Sequence, residues 1–196
     1  MNLRLLVSRG LLTIAVVGTL FTTHAWPETS AVDTSLSTAA FVLLIVGCIG
    51  RIWCASYIAG RKNRDLVTDG PFSITRNPLY FFSFVAMLGA GMAFESLSVT
   101  ALFLGVFFLT HWPTILKEER FLHQTFGKPY EEYMARVPRF LPNPRLYKGT
   151  PEVTLGTAAF TRTMLEAALI PLVYLAAQAI EAGHQQHILP TLAHVY

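Results

Sequence analysis

Residues 97–116 read LSVTALFLGVFFLTHWPTIL, an apolar stretch that contains no charged residue. Residues 36–59 read LSTAAFVLLIVGCIGRIWCASYIA and carry Arg51 as their one charge. About 20 such residues form a helix long enough to cross a bilayer. In lipid, a segment that is not part of a β-barrel can satisfy all its backbone hydrogen bonds only as a helix. These two stretches therefore predict an all-α polytopic membrane protein.

The composition extends this prediction to the whole chain. Of the 196 residues, 53% are hydrophobic and 14% are charged, whereas a soluble domain has about 25% charged residues. Three further apolar stretches are predicted spans: residues 5–23, 78–94 and 158–180. The chain is thus predicted to form a single domain, residues 1–196, with about five transmembrane helices. The first has an alternative interpretation as a signal peptide, but Thr23-His24-Ala25 is a poor cleavage site, which favours a retained helix.

Basic residues occur in alternate loops, which predicts the orientation of the chain. Arg4 and Arg9 mark the start of the first span, and Arg and Lys fill both the loop after the second span and residues 117–157. The loop at residues 24–35 and the tail after residue 180 contain neither. Since cytoplasmic loops carry the basic excess, we expect an inner-membrane protein with its N-terminus in the cytoplasm and its C-terminus outside. No basic stripe with interleaved aromatic residues points to nucleic acid.

Two charges fall within or near predicted spans. They are Arg51 and Glu166. Intramembrane charges mark functional sites by default and are usually paired. The alternative for Arg51 is a side chain that reaches from the inner half of its helix to the interface.

The first unusual cytoplasmic segment ends where the third span begins. Pro78 suits the first turn of a helix because its missing N–H would have no partner there. Arg76 and Asn77 then lie beside the free N–H groups of a helix N-terminus, which bind anions such as a carboxylate or phosphate. The alternative is that Arg76 marks the interface and Asn77 caps the helix.

The second segment follows the fourth span directly. Glu118 and Glu119 leave that helix at the membrane boundary, where a carboxylate suits a cationic group of a cofactor. The alternative is a solvated charge beside Arg120. Further on, a short predicted helix presents Tyr130, Tyr133 and Arg136 at every third position, which we assign to one face. That face suits a cover over a cofactor or a surface resting on the lipid interface.

At these two segments the chain resembles the isoprenylcysteine carboxyl methyltransferases and the related phospholipid methyltransferases. The first motif reads LVTDGPF at residues 66–72 and RNPLY at residues 76–80. The second comprises the Glu-Glu pair at 118–119 and FGKPYEEYMARVPRF at residues 126–140. The order, the spacing and the intervening helical hairpin agree with the family over residues 64–142.

The resemblance implies S-adenosylmethionine as the cofactor and a pocket on the cytoplasmic side. The cofactor-binding residues that the resemblance implies are Leu66, Val67, Phe72, Asn77, Pro78, Leu79, Tyr80 and Glu118. We add Arg76 to them because it lies at the predicted helix N-terminus. Glu118 would hold the amino group of the cofactor. As catalytic candidates, Glu119 would accept a proton from an amine, and Arg136 or Arg139 would orient an anionic group. The expected acceptor is a lipophilic small molecule, a lipid or a lipidated substrate that enters from the membrane.

Three positions depart from the family pattern. The family has His where this chain has Asn77, and Gly where it has Phe82. The eukaryotic enzymes also carry an Arg that binds the substrate carboxylate, and the matching position here is Thr114. These departures put a prenylcysteine carboxylate in doubt as the acceptor.

Two other functions fit parts of the same pattern. Sterol-reductase-like proteins share the Tyr-x-x-Tyr-x-x-x-Val-Pro motif and bind a phosphorylated nicotinamide cofactor, for which Arg61, Lys62 and Arg64 offer basic contacts. A non-catalytic membrane subunit that docks a partner is the third hypothesis. The sequence has no GxGxxG or Walker A motif, no nucleophile elbow and no His or Cys pair at metal-ligand spacing, so no metal site is predicted.

Overall fold

A computed structural model describes residues 17, 19–24, 30–191 and 193–195 of the chain. Within these residues the regular secondary structure is helical except for two strands that pair in parallel, β1 (Thr22–His24) and β2 (Ala193–Val195). The helices are α1 (Ala31–Ile58), α2 (Pro71–Ile74), α3 (Pro78–Met92), α4 (Leu97–Phe126), α5 (Lys128–Arg136), a 3-10 turn (Pro144–Leu146), α6 (Thr157–Ala168) and α7 (Leu172–Gln185).

Three helical stretches in the described residues are long and apolar enough to cross a membrane, which confirms a membrane protein. They are Ala31–Ile58, Leu97–Phe126 and Thr157–Gln185. The predicted third span is a helix of 15 residues, α3, shorter than a spanning helix needs. The predicted fifth span divides into α6 and α7 at residues 169–171, where Pro171 interrupts it. Most of the predicted first span, residues 5–23, lies outside the described residues, so the count of five is not established.

The chain forms two compact units, each assembled from separate segments. The first comprises Met1–Val46, Phe84–Thr110 and Leu169–Tyr196. Its core contains Leu44, Ala90, Val99 and Phe103. Gly89 allows close packing in this unit, because a Cβ there would lie 2.9 Å from Leu43 Cβ. Gly89 therefore serves close helix packing.

The second unit comprises Gly47–Ser83 and His111–Ala168. It explains how the chain accommodates Phe82, which replaces a family glycine. The Phe82 ring lies where a side chain at Gly50 would stand, since a Cβ on Gly50 would come within 2.0 Å of the ring. Trp53 contacts the same ring edge to face at a centroid distance of 6.2 Å. The bulk gained at Phe82 is thus matched by the absence of a side chain at Gly50.

The predicted intramembrane charge Glu166 has a simple environment. Its carboxylate accepts a hydrogen bond from Arg162 Nε at 3.0 Å, one helical turn away, and both side chains are mostly exposed. Such an exposed pair stabilises a helix by about 0.3–0.5 kcal/mol. Glu166 therefore needs no functional explanation.

Candidate active site

The site lies in the second unit, and its first wall begins at a glycine. Gly70 has φ +58°, and a Cβ there would come within 2.3 Å of the Tyr57 ring, so only glycine fits this position. Pro71 then starts α2 with a preset φ. After α2, backbone bonds tie the chain to residues 138–143: Arg76 N donates to Pro138 O at 2.9 Å, and Asn143 N donates to Ile74 O at 2.8 Å.

One cavity gathers every residue that the sequence predicts to bind the cofactor. The nine are Leu66, Val67, Phe72, Arg76, Asn77, Pro78, Leu79, Tyr80 and Glu118. The empty space that these residues surround, counted together with the open solvent at its mouth, is about 810 Å³. Its other wall residues are Ile58, Lys62, Asn63, Asp65, Phe121, Leu122 and Tyr133.

Glu118 stands at the rim of this cavity with an exchangeable partner. Its Oε1 accepts a hydrogen bond from Lys62 Nζ at 3.1 Å, and the side chains are 36% and 61% exposed respectively. Exposed pairs of this kind contribute at most about 1 kcal/mol. The ammonium group of a ligand can therefore replace Lys62 at little cost, and the cavity fits a molecule with a cationic amino group and an apolar body.

Glu119, its neighbour, is buried and fully engaged. Its Oε1 accepts from Asn77 Nδ2 at 2.9 Å, and its Oε2 accepts from Arg139 Nε at 3.0 Å. Arg76 Nη1 lies 3.7 Å from Oε1. Glu119 and Arg139 line a second cavity, on the side of Arg120 and His123, and neither lines the first one. The structure thus places both outside the wall of the predicted cofactor cavity.

Asn77 joins the cavity wall to this buried network. Its side chain is 93% buried, and its amide nitrogen donates twice, to Glu119 Oε1 and to the carbonyl oxygen of Arg139, both at 2.9 Å. A carboxamide offers two N–H donors, whereas a neutral imidazole offers one. The asparagine that departs from the family pattern is therefore well suited to the two acceptors that face it.

The helix α5 supplies two buried tyrosines. The Tyr133 hydroxyl donates to Phe72 O at 2.6 Å, which fastens α5 to the cavity wall. Burial, with the nearby Glu119 carboxylate, raises the pKa of Tyr130 to about 12, although a hydrogen bond with Arg76 opposes the shift. Burial also raises the pKa of Tyr133. Both hydroxyls therefore stay protonated at neutral pH and serve as hydrogen-bond donors.

Arg136 does not share the tyrosine face. It is exposed and lines neither cavity, whereas Tyr130 and Tyr133 are buried. Six residues advance a helix by about 600°, which leaves Arg136 roughly 120° away from Tyr130. The prediction of one common face was therefore wrong for the arginine, because a spacing of three drifts around the helix when it is repeated.

Several site residues were not predicted. Phe121 and Leu122 line the cavity one turn after Glu118, and helical spacing from that residue was a signal that could have found them. Lys62 was noted only for its charge.

In the first unit, carboxylate oxygens of Asp33, Glu95 and Glu181 lie within 4.8 Å of one another. The orientation argument had placed Asp33, in the loop at residues 24–35, and Glu181, in the tail after residue 180, on the same side of the membrane.

Comparisons with known proteins agree with the motifs. A model of the phospholipid methyltransferase family matches residues 12–129. The cobalt-zinc-cadmium resistance protein CzcN of Cupriavidus metallidurans is 37% identical over 83% of this chain and 74% of its own length. The nickel-cobalt-cadmium resistance protein NccN of Alcaligenes xylosoxydans xylosoxydans is 30% identical over 88% of this chain and 80% of its own.

A third relative is a eukaryotic enzyme. The protein-S-isoprenylcysteine O-methyltransferase of Schizosaccharomyces pombe is 36% identical over 43% of this chain and 37% of its own length. No solved structure matches the chain.

Proposed function

Since the chain belongs to the phospholipid methyltransferase family, we propose that it is an S-adenosylmethionine-dependent methyltransferase of a lipophilic or lipid-linked acceptor. One observation supports the proposal most strongly: residues from two motifs, 38 positions apart between Tyr80 and Glu118, line a single cavity. A cavity lined by both motifs is the arrangement that a common ligand requires.

The residues present fit the cofactor. Leu66, Val67, Phe72 and Leu79 offer an apolar wall, and Glu118 offers a carboxylate for an amino group at the rim. S-adenosylmethionine supplies a sulfonium methyl group that an acceptor takes by direct displacement. The protein contributes positioning and a site sheltered from water, which are large terms in catalysis when the reacting atoms need no covalent help.

Glu119 and Arg139 act in this proposal as positioning residues. Through Asn77 they hold the start of α3 against residues 138–139, which sets the direction of Pro78, Leu79 and Tyr80 in the cavity wall. Because Glu119 bonds to Asn77 and Arg139 and does not line the first cavity, a proton-accepting role there requires that its side chain turn out of this network. Arg136, exposed on α5, is available to an anionic lipid headgroup at the interface.

Calorimetric titration of the full chain in a mild detergent tests the cofactor. We expect S-adenosylmethionine and S-adenosylhomocysteine to bind at micromolar concentration, and Glu118→Ala to weaken both at least tenfold. Glu132→Ala is the matched control, because it removes an exposed carboxylate outside the cavity. Binding of NADPH alone would favour the reductase hypothesis. Binding of none of the three ligands would favour the non-catalytic subunit.

We further propose that this methyl transfer operates in tolerance to heavy metals, because two relatives that cover most of the chain are named for metal resistance. A metal-sensitive bacterial strain that expresses the chain should then grow at higher cadmium or cobalt concentrations than a strain expressing Glu118→Ala. Equal growth of the two strains, with equal protein in the membrane, would exclude a catalytic contribution to resistance.

A further inference from the structure

Arg51 lies inside an apolar helix and faces the interior of the second unit. It is seven residues before the end of α1, or roughly 10 Å along the helix axis at about 1.5 Å per residue. Its neighbours one turn away on the same face, Cys48, Cys54 and Ala55, are all buried. The arginine itself keeps part of its surface accessible.

The guanidinium group reaches across to α3. Arg51 Nη1 donates a hydrogen bond to Ser83 Oγ, and the Ser83 hydroxyl donates to Leu79 O at 2.8 Å. Ser83 lies five residues inside α3, roughly 7.5 Å from its start. Of the two interpretations of Arg51, the structure therefore favours a residue held within the helices over one that extends to the interface.

The Arg51 charge has no counter-ion in the described part of the chain. No carboxylate there comes within 4.0 Å of its guanidinium group, and its hydrogen-bonding partner, a serine hydroxyl, is neutral. A cation among apolar helices is costly unless it is paired. A guanidinium group has five N–H donors, and Ser83 takes one of them. The arrangement is complete only when an anion joins it.

Arg51 and Ser83 lie directly beyond the wall of the cofactor cavity. Leu79 lines the cavity, and Ser83 is on the same face of α3 one turn further along. Ile58 also lines it, and Arg51 is two turns earlier on the same face of α1. The helical spacing therefore places the guanidinium group and Ser83 beyond the cavity wall on the side of Ile58 and Leu79.

We propose that Arg51, held by Ser83, binds the oxyanion of the lipophilic acceptor beside the cofactor cavity. This inference rests on the proposed methyl transfer, because only a methyltransferase has a methyl acceptor. It specifies the chemical class of that acceptor as an amphiphile that carries a carboxylate or phosphate group. Arg51 is a binding and positioning residue and takes no proton.

The test measures binding of simple amphiphiles to the full chain in dodecyl maltoside, saturated with S-adenosylhomocysteine. The probes share one alkyl chain and differ in the head: dodecanoate, dodecyl phosphate, dodecanol and dodecylammonium. We expect one or both anions to bind at least tenfold more tightly than the alcohol and the ammonium. The anion that binds better distinguishes a carboxylate acceptor from a phosphate acceptor.

Three variants test the residue itself. Arg51→Gln should weaken binding of the preferred anion about 10- to 100-fold, as expected for a lost hydrogen bond to a charged group. Arg51→Lys keeps the charge and should restore part of the affinity, and Ser83→Ala should give a smaller loss than Arg51→Gln. Arg64→Gln, which removes an exposed arginine of the same unit, is the control for net charge and should change affinity less than twofold.

The outcomes separate this inference from the proposed function. Equal anion affinity of Arg51→Gln and Arg64→Gln, or equal binding of dodecanol and the anions to the wild type, would overturn the role of Arg51. Affinity for S-adenosylhomocysteine is measured in every variant, and we expect Arg51→Gln to retain it within twofold, which also shows that the variant is folded. Absence of adenosyl binding in the wild type would instead overturn the methyltransferase proposal, and with it the acceptor role.

Discussion

Asn77 Nδ2 donates to Glu119 Oε1 at 2.9 Å and thereby joins two motifs that are 42 residues apart in the chain. The same nitrogen donates to Arg139 O, and Arg139 Nε returns a hydrogen bond to the other oxygen of Glu119. The network closes on itself, so each member is held by two bonds. It fixes the start of α3 relative to the segment after α5.

Removal of the Asn77 side chain should destabilise the second unit. Asn77→Ala removes the donor that two acceptors share, Glu119 Oε1 and Arg139 O, and leaves them only the longer contacts with Arg76 and Thr75. We expect a loss of about 1–3 kcal/mol in the free energy of unfolding. Asn77→His should lose less, since a neutral imidazole satisfies one of the two. Denaturant titration followed by circular dichroism measures both. Gln124→Ala, which removes an exposed carboxamide, is the control and should be neutral; an equal loss there would contradict the assignment.

The adjacent acids Glu118 and Glu119 should lose different amounts of stability on the same isosteric change. Glu119→Gln removes the charge that faces Arg76 and Arg139, and we expect a loss of roughly 2 kcal/mol. This is less than the 3–5 kcal/mol of a fully buried pair, because Arg139 is 44% exposed. Glu118→Gln should cost less than about 1 kcal/mol. Thermal unfolding of both variants at pH 7 measures the two losses. A larger loss of stability for Glu118→Gln than for Glu119→Gln would refute the buried network.

Two glycines with the same backbone geometry provide a matched test of the first wall. Gly70 and Gly127 have φ of 58° and 55° with ψ of −129° and −128°. Both Ala variants pay about 1–2 kcal/mol for the backbone alone. At Gly70 the new Cβ also meets the Tyr57 ring, whereas at Gly127 nothing lies within 4 Å.

Gly70→Ala should therefore lower the free energy of unfolding by about 1–3 kcal/mol more than Gly127→Ala does. This difference is the typical cost of overpacking. It should also weaken S-adenosylhomocysteine binding, since Gly70 precedes the α2 segment that carries the cavity wall. The midpoints of unfolding of the two variants, measured side by side, provide the comparison. Equal midpoints would show that Tyr57 moves aside freely.

The acidic cluster of the first unit predicts a pH dependence of stability. Burial and the nearby acids Asp33 and Glu181 raise the pKa of Glu95 to about 8 from an ordinary value of 4.5. Between these two pH values the folded protein holds a proton that the unfolded chain has released. Stability is therefore fully present below about pH 4.5 and is lost as the pH rises towards 8, by at most about 1.4 kcal/mol per unit.

Glu95→Gln mimics the protonated acid, so it should flatten this dependence and raise the melting temperature at pH 8. Melting curves at pH 5, 6, 7 and 8 in detergent measure the slope. Glu132→Gln, an exposed acid outside the cluster, should leave the slope unchanged. A wild-type melting temperature that rises from pH 5 to pH 8 would contradict the raised pKa.

The cavity wall was predictable from sequence because its residues form contiguous motifs at helix boundaries. Gly70-Pro71 and Asn77-Pro78 each mark a helix start, and both starts occur in the structure. Glu118 was harder to place. We expected the fourth span to end at residue 116, but α4 continues to Phe126. The apolar pattern ends at the membrane boundary, whereas backbone hydrogen bonding continues the helix past it.

Apolar length and composition determined by themselves that the chain is a helical membrane protein, because a segment in lipid has few ways to satisfy its backbone. Local motifs similarly predicted residues that line one cavity in the structure. Only the tertiary structure decided between neighbours such as Glu118 and Glu119, one at the cavity rim and the other in a buried network. It also placed Arg51 against Ser83. Adjacent side chains on a helix point about 100° apart, so each one contacts a different distant segment. Which segment packs beside each side chain cannot be determined from the sequence alone.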